Sequence, residues 1–214
     1  MMEKTVYFVR HGQSEDNIAP VFQAPNSPLS ETGRRQARLV AERMSRLPFD
    51  ALIASPFRRS RETAEVIAAA TGHKAEYSAL FVERIKPACI NGKPYGDATA
   101  SAIWRDWDRS LYTPGMRVAD GENFDDLVAR ADAALAFLRQ RAGPCLVVVT
   151  HGYFLRTILA RVLLGELISG ESFKRFQRIA AMENTGVTMI RHQGAFEEAP
   201  SWRLWTYNDY AHLD

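Results

Sequence analysis

Cysteine is nearly missing from this chain, whose 214 residues hold two, Cys89 and Cys145. Two cannot make a disulfide framework, and Cys145, inside an apolar run, reads as a small core filler. An excess of one charge is missing too. Lys and Arg number 27 against 25 Asp and Glu, a net charge of +2. That excludes the strong field expected of a nucleic-acid or anionic-membrane partner; the pairs Arg34-Arg35 and Arg58-Arg59 are local features. Long hydrophobic runs are absent as well. The most apolar later stretch, residues 153–164, is broken by Arg156 and Arg161 and falls short of the roughly 20 residues a bilayer demands. No charged-then-apolar leader precedes the first strand, and there are no repeats, low-complexity tracts or linkers. A cytoplasmic enzyme is the expectation that remains.

What is present is ordinary in bulk and unusual in one place. A hydrophobic share of 46% and a charged share of 24% suit a globular protein. The length fits a single domain over residues 1–214. The unusual place is TVYFVRHGQSEDN, residues 5–17. Its first five residues are β-branched or aromatic and predict a buried strand. The strand runs into Arg10-His11-Gly12, at the end where an open α/β sheet gathers ligands. His11 is a candidate nucleophile for a phosphoryl group, Arg10 a candidate clamp for its oxygens, and Gly12 allows a close backbone approach. One histidine at a strand end means little. A second copy follows, however: CLVVVT at residues 145–150 is another apolar run, and it ends in His151-Gly152. If the two strands are neighbours, two imidazoles lie side by side.

Between these strands the pattern alternates. A loop rich in Pro and Asn covers residues 20–28, Ser30 is a helix N-cap candidate, and Ala37, Val40, Ala41, Met44 and Leu47 recur at helical spacing until Pro48. ALIA at residues 51–54 reads as a short buried strand. Phe57 to Thr63 opens a helix with Ala64, Ile67 and Ala68 inward, closed by Gly72. Its three arginines, Arg58, Arg59 and Arg61, stand at a third strand-to-helix turn, where free N–H groups favour anions and an Arg can grip a phosphoryl group in two places. Residues 75–82 suggest another strand, followed by Glu83-Arg84.

From about 85 to 121 core periodicity is lost around a predicted helix at 99–111. This reads as an insertion over the site mouth, where Tyr95, Trp104, Trp107 and Tyr112, with Lys86, Lys93, Arg105 and Arg109, either grip a substrate or pack the insertion down. Asn123 caps a helix with Phe124, Leu127, Val128, Ala131, Leu135 and Leu138 inward. After the 145–150 strand comes a helix with Leu155, Ile158, Leu159 and Val162 inward. Residues 187–190 and 202–207 read as late strands and candidates for the sheet edge. His73, His192 and His212 show no partners and are expected at the surface. Alternating strands and helices predict an α/β fold, a three-layer α/β/α sandwich around a mostly parallel sheet.

Taken together the motifs resemble the histidine phosphatase superfamily, which includes the cofactor-dependent phosphoglycerate mutases. The resemblance rests on VRHGQSEDN (9–17), PLSETGRRQA (28–37), SPFRRSRETA (55–64), Glu83, GENFDDLVAR (121–130), VVTHG (148–152) and the tail YNDYAHL (207–213). It implies that His11 becomes phosphorylated, that Arg10, Arg59 and His151 complete the phosphate pocket with Gly12, that Asn17 adds a contact, and that Glu83 is the proton donor. It singles out Arg59 and leaves Arg58 and Arg61 as surface residues. The implied activity is a metal-independent phosphomonoesterase, without cofactor, acting on a small phosphorylated metabolite. Neither nucleic acid nor membrane is expected as a partner, and a homodimer is compatible with the sequence. In the mutases Glu-Arg-His-Tyr-Gly follows the acid strand; here Glu83-Arg84 leads into Ile85-Lys86-Pro87, which favours a phosphatase. Ligation of a metal by His11, His151 and Glu83 is opposed by Arg10 and Arg59, which repel a divalent cation, and by the absence of HxxxH or HxH spacing. A non-catalytic phospho-ligand sensor is a third alternative, though no central residue is lost.

Overall fold

The chain enters its sheet at once. In the computed structural model, which describes residues 3–195 and 198–214 (side chains of 195 and 198–200 excepted), β1 is Lys4–Arg10. The short α1 (Glu15–Ile18) and α2 (Glu31–Met44) lead to β2 (Ala51–Ala54), α3 (Arg58–Thr71) and β3 (Ala75–Tyr77). Then come α4 (Ala98–Arg109), α5 (Phe124–Gln140), β4 (Cys145–Thr150), α6 (Gly152–Leu164), α7 (Gly170–Ile179), β5 (Val187–Ala195) and β6 (Glu198–Asp209). The strand order is β3-β2-β4-β1-β5-β6. The first four are mutually parallel, whereas β5 and β6 join antiparallel. The sheet is thus mixed, its four parallel strands running from the β3 edge to β1 and its antiparallel pair completing the other side.

Side chains alternate across the pleat, and here the alternation separates two cores. Val6, Phe8, Leu146, Val148 and Ile190 pack with Leu127, Leu138, Leu155, Ile158 and Phe173 of α5, α6 and α7. Val9, Leu52, Ala54, Val147 and Val149 pack on the other face with Val40 and Met44 of α2 and Ala64 and Ile67 of α3. Near-continuous apolar runs such as CLVVVT are what a strand covered on both faces needs. The three-layer α/β/α arrangement expected from the alternation is therefore the one observed. Among the described residues no helix is long and apolar enough to cross a membrane.

Several local expectations are corrected. Residues 75–82 are not one strand: β3 ends at Tyr77, and the Ser78 hydroxyl accepts a hydrogen bond from Leu80 N–H at the head of a 3-10 turn, Ala79–Phe81. Of the late strands only β6 is an edge; β5 lies between β1 and β6. Helix α7 stands where no element was expected, because Phe173 is its only fully buried residue and a lone apolar residue leaves no stripe to read. The three histidines expected at the surface all have neighbours. His73 stacks on Phe49 with ring centroids 3.9 Å apart, His192 is buried beside Trp202, and His212 meets Thr185 and Arg43.

Candidate active site

β1 and β4 are adjacent and parallel, with Arg10 opposite Thr150. The next residue on each strand is a histidine, so both imidazoles leave the sheet at the same point of the same rim. Their ring centroids are 5.0 Å apart and tilted by 59°. β2 ends one strand further along, where Ser55 N–H donates to Val149 O at 2.9 Å. α3 then starts directly over the pair, carrying Arg59 and Ser60 inward, both buried. Arg58 and Arg61 point outward into ion pairs with Glu62 and Glu65.

Hydrogen bonds define the state of His11. Nδ1 lies 2.6 Å from the Gly12 carbonyl, which can only accept. Arg59 Nε, which can only donate, lies 3.1 Å from Nε2. The tautomer satisfying both carries its proton on Nδ1 and a lone pair on Nε2. Burial, then the charges of Arg59 and Arg10, hold the His11 pKa well below its ordinary value, against the opposing pull of the Gly12 carbonyl. The ring is neutral at physiological pH, with Nε2 as its nucleophilic atom.

His151 is fully buried, with Nε2 at 2.8 Å from Ser55 Oγ and 3.2 Å from Ser60 Oγ. Burial first, then Arg59 and His11, also hold its pKa well down. Its Nδ1 has no hydrogen-bond partner, and neither has Arg10 Nε, although both atoms are buried. Arg10 is fixed at its other end, donating through Nη1 to Met182 O. Burial lowers the Arg59 pKa to about 10 despite the pull of Glu83 and Asp16, so Arg59 keeps its charge at neutral pH. Two guanidinium groups and two neutral imidazoles therefore meet with polar atoms left unpaired, which buried groups rarely tolerate. An oxyanion satisfies such a set.

The two glycines have separate reasons. A Cβ on Gly12 would sit 2.6 Å from Gly33 O, backbone against backbone; on Gly152 it would meet Arg10 Nε at 3.2 Å. The Gly12 N–H donates to Thr63 Oγ1 at 3.1 Å, so within the chain it is already paired. Asn17 is half-buried in α1 with its amide oxygen taken by Ser14 N–H and Oγ–H at 2.9 and 3.0 Å.

Glu83 reaches the rim by another route. Its carboxylate accepts from Phe154 N at 2.8 Å and Tyr153 N at 3.2 Å, the first free N–H groups of α6, where an anion is favoured. Because α6 begins at Gly152, a single strand-to-helix junction both presents His151 and anchors Glu83. The backbone behind the carboxylate is held by Arg130, which donates to the carbonyls of Leu80, Val82 and Glu83 while pairing with Glu122 through two 2.7 Å contacts. Glu122 in turn accepts from Ile85 N at 2.8 Å. The GENFDDLVAR motif thus acts as a brace for Glu83, its Arg130 joining carbonyls 47 to 50 positions away and its Glu122 a backbone N–H 37 away, which no local pattern reveals.

Other residues join the site unanticipated. Asn184 Nδ2 donates to His11 O at 2.9 Å and Thr185 N to Arg10 O at 3.0 Å. Thr185 has φ 61°, and its hydroxyl meets His212, which ties the YNDYAHL tail to the back of β1. Ser55 and Ser60 lie within the SPFRRSRETA motif, but nothing local marked either serine; the contacts of both with His151 come from the fold. Beside Glu83 opens a cavity of ≈570 Å³ with Lys86, Tyr95, Trp104, Arg105 and Trp107 on its walls. Lys93, Arg109 and Tyr112, grouped with them on the sequence, do not line it; Tyr112 faces a larger cleft of ≈1250 Å³ between the turn that follows α4 and helices α5 and α7, with no histidine on its walls. Among the described residues no group of three or more His, Cys, Asp or Glu is placed to hold a metal ion.

Comparison with known proteins follows the same lines. The model of the histidine phosphatase superfamily (branch 1) matches residues 6–205. Proteins named probable phosphoglycerate mutase GpmB from Photorhabdus laumondii and Citrobacter koseri are each 31% identical, over 98% of this chain and 94% of theirs. Among solved structures, a putative alpha-ribazole-5'-P phosphatase from Escherichia coli aligns with a TM-score of 0.77 at 19% identity, over 97% of both chains. A mycobacterial glucosyl-3-phosphoglycerate phosphatase aligns with a TM-score of 0.73 at 23% identity, over 97% of this chain and 99% of that one.

Proposed function

The chain belongs to the histidine phosphatase superfamily, branch 1, and we propose that it is a metal-independent phosphomonoesterase that hydrolyses a small phosphorylated metabolite through a phosphohistidine on His11. The observation that carries this reading is the neutral His11 with its Nε2 lone pair, its ring centroid 5.0 Å from that of His151, flanked by two buried polar atoms without partners, Arg10 Nε and His151 Nδ1.

The substrate phosphoryl group enters among Arg10, Arg59 and His151. Arg59 Nε–H, which lies on the His11 lone pair at 3.1 Å, transfers its hydrogen bond to a phosphoryl oxygen and frees Nε2. A neutral imidazole attacks a dianionic ester without charge repulsion, and the cations stabilise charge on the equatorial oxygens in the transition state. Nε2 bonds to phosphorus, the P–O ester bond breaks, and its electron pair leaves on the alcohol oxygen, which takes a proton from Glu83, kept protonated while the incoming phosphate dianion is bound beside it. A water then gives its proton to the Glu83 carboxylate and attacks phosphorus. The P–N bond breaks and returns its pair to Nε2. Asn17 and Gly12 shape the loop around the phosphate.

The names of the 31% identical relatives favour a second reading, a mutase that keeps the phosphoryl group on His11 and returns it to product. The departure from the mutase pattern at Ile85-Lys86-Pro87 speaks against it. Phosphoglycerate and other phosphomonoesters, offered in ¹⁸O-labelled water with chelator present, separate the two. A hydrolase releases orthophosphate carrying one solvent oxygen; isomerised ester without labelled phosphate means a mutase, and activity abolished by chelator overturns the metal-free step.

A further inference from the structure

The cavity beside Glu83 has a composition that bears on the leaving group. It is bounded by two segments distant in sequence and zipped together: Phe22 N–H donates to Lys93 O at 2.9 Å, Gly92 N–H to Phe22 O at 2.7 Å and Tyr95 N–H to Pro20 O at 2.9 Å. A small core of Phe22, Ile90 and Ala100 locks the junction. On it stands an aromatic wall. Phe22 meets Tyr95 edge-on at 4.9 Å and lies nearly parallel to Trp104, 28° apart at 6.3 Å. Phe22 is buried, whereas Trp104 is 38% and Tyr95 52% exposed, so two large rings are kept half-uncovered inside a concavity.

The charged residues around this wall are largely engaged elsewhere. Arg84 is stacked on Trp107 at 3.6 Å and donates to Trp107 O, Ser110 Oγ and Glu122 O. Lys86 donates to Gln23 O, next to Ala24 O, which Arg59 holds. Arg105 is exposed at the rim. The cavity therefore presents flat apolar faces close to Glu83 and no paired cations comparable to Arg10 with Arg59. A second carboxylate or phosphate would be poorly served, whereas a planar ring gains stacking on Trp104 and Tyr95.

Resting on the phosphatase reading above, we infer that the substrates are phosphomonoesters of alcohols that carry an uncharged planar ring, seated on the Phe22–Tyr95–Trp104 wall while the phosphoryl group lies at His11. The cavity of ≈570 Å³ accommodates a group of one or two rings.

The test compares primary-alcohol esters of similar intrinsic reactivity: 2-phenylethyl phosphate and 2-(indol-3-yl)ethyl phosphate against n-butyl phosphate and 3-phosphoglycerate. The ring esters are expected to have kcat/KM about 10-fold or more above the ringless ones, mostly through KM, and Trp104→Ala is expected to collapse that ratio towards one. Equal kcat/KM across the wild-type panel, or a ratio that survives both Trp104→Ala and Tyr95→Ala, overturns the ring-binding inference and leaves the hydrolase reading standing. Phosphate release from none of the esters, or release undiminished in His11→Ala, overturns the hydrolase reading and this inference with it.

Discussion

Replacing Arg59 with methionine removes a guanidinium that is 2% exposed, donates to His11 Nε2 at 3.1 Å and to Ala24 O at 3.1 Å, and leaves a side chain of similar length. Three effects follow. Loss of one preorganised donor to the transition state costs about 10²- to 10³-fold in kcat, or about 2.7–4 kcal/mol. Arg59 is also the largest charge effect lowering the pKa of His11, second only to burial, and it acts likewise on His151. In the variant both values rise towards the ordinary histidine value near 6.5. Because the nucleophile must be neutral, the acid limb of kcat/KM moves up, and the deficit relative to wild type grows as pH falls from about 8 to 6. Stability should not follow activity: exchanging a buried charge for an apolar side chain of like volume is often neutral or stabilising. Arg59→Lys keeps the charge without the planar fork and should fall between. The assay is kcat/KM against pH on one ester, with thermal melting in phosphate-free buffer. A methionine variant within about fivefold of wild type, or one whose deficit shrinks at low pH, refutes the reasoning.

The buried neutral histidines also make stability depend on pH. With folded pKa values held below the unfolded value near 6.5, the unfolded chain binds protons first. Stability is therefore full above about 6.5 and falls below it by up to about 1.4 kcal/mol per pH unit per histidine; thermal melts from pH 8 to 5 should show this, with orthophosphate offsetting it, and a flat profile would count against it. Gly12→Ala forces a methyl to 2.6 Å from Gly33 O and should lower stability by about 1–3 kcal/mol. Gly152→Ala presses on Arg10 Nε at 3.2 Å and should reduce kcat/KM more than melting temperature; the reverse ranking in melts and kinetics would contradict the contacts. Glu83→Gln should cost about 10²-fold or more on an alkyl phosphate and much less on p-nitrophenyl phosphate, whose phenolate departs without a proton. Equal losses on both esters would remove Glu83 from the proton-donor role.

Much of this was legible in the residues themselves, for physical reasons that can be named. A strand buried on both faces must be apolar throughout, so TVYFV and CLVVVT announce themselves, and the polar residues that break each run mark the rim. Arg59 could be separated from Arg58 and Arg61 only by family pattern, since the inward turn of α3 is a tertiary fact. Long-range braces stayed hidden: Arg130 reaches carbonyls 47 to 50 residues away, and Asn184 reaches His11 across 173. His73 looked unpartnered because its acceptor, Phe49 O, is 24 residues distant. Helix α7 was invisible since its stability comes from docking Phe173 under Phe124 and Tyr153, a contact without local periodicity.

The most direct test is to mix enzyme with a ³²P-labelled phosphomonoester, quench within milliseconds in alkaline denaturant without acid, and map the label by mass spectrometry of the peptide carrying residues 5–17. Label on the His11 imidazole, acid-labile, formed as fast as turnover and lost in His11→Ala, is the expected result. Full turnover with no label at His11, or with label on another residue, would contradict it.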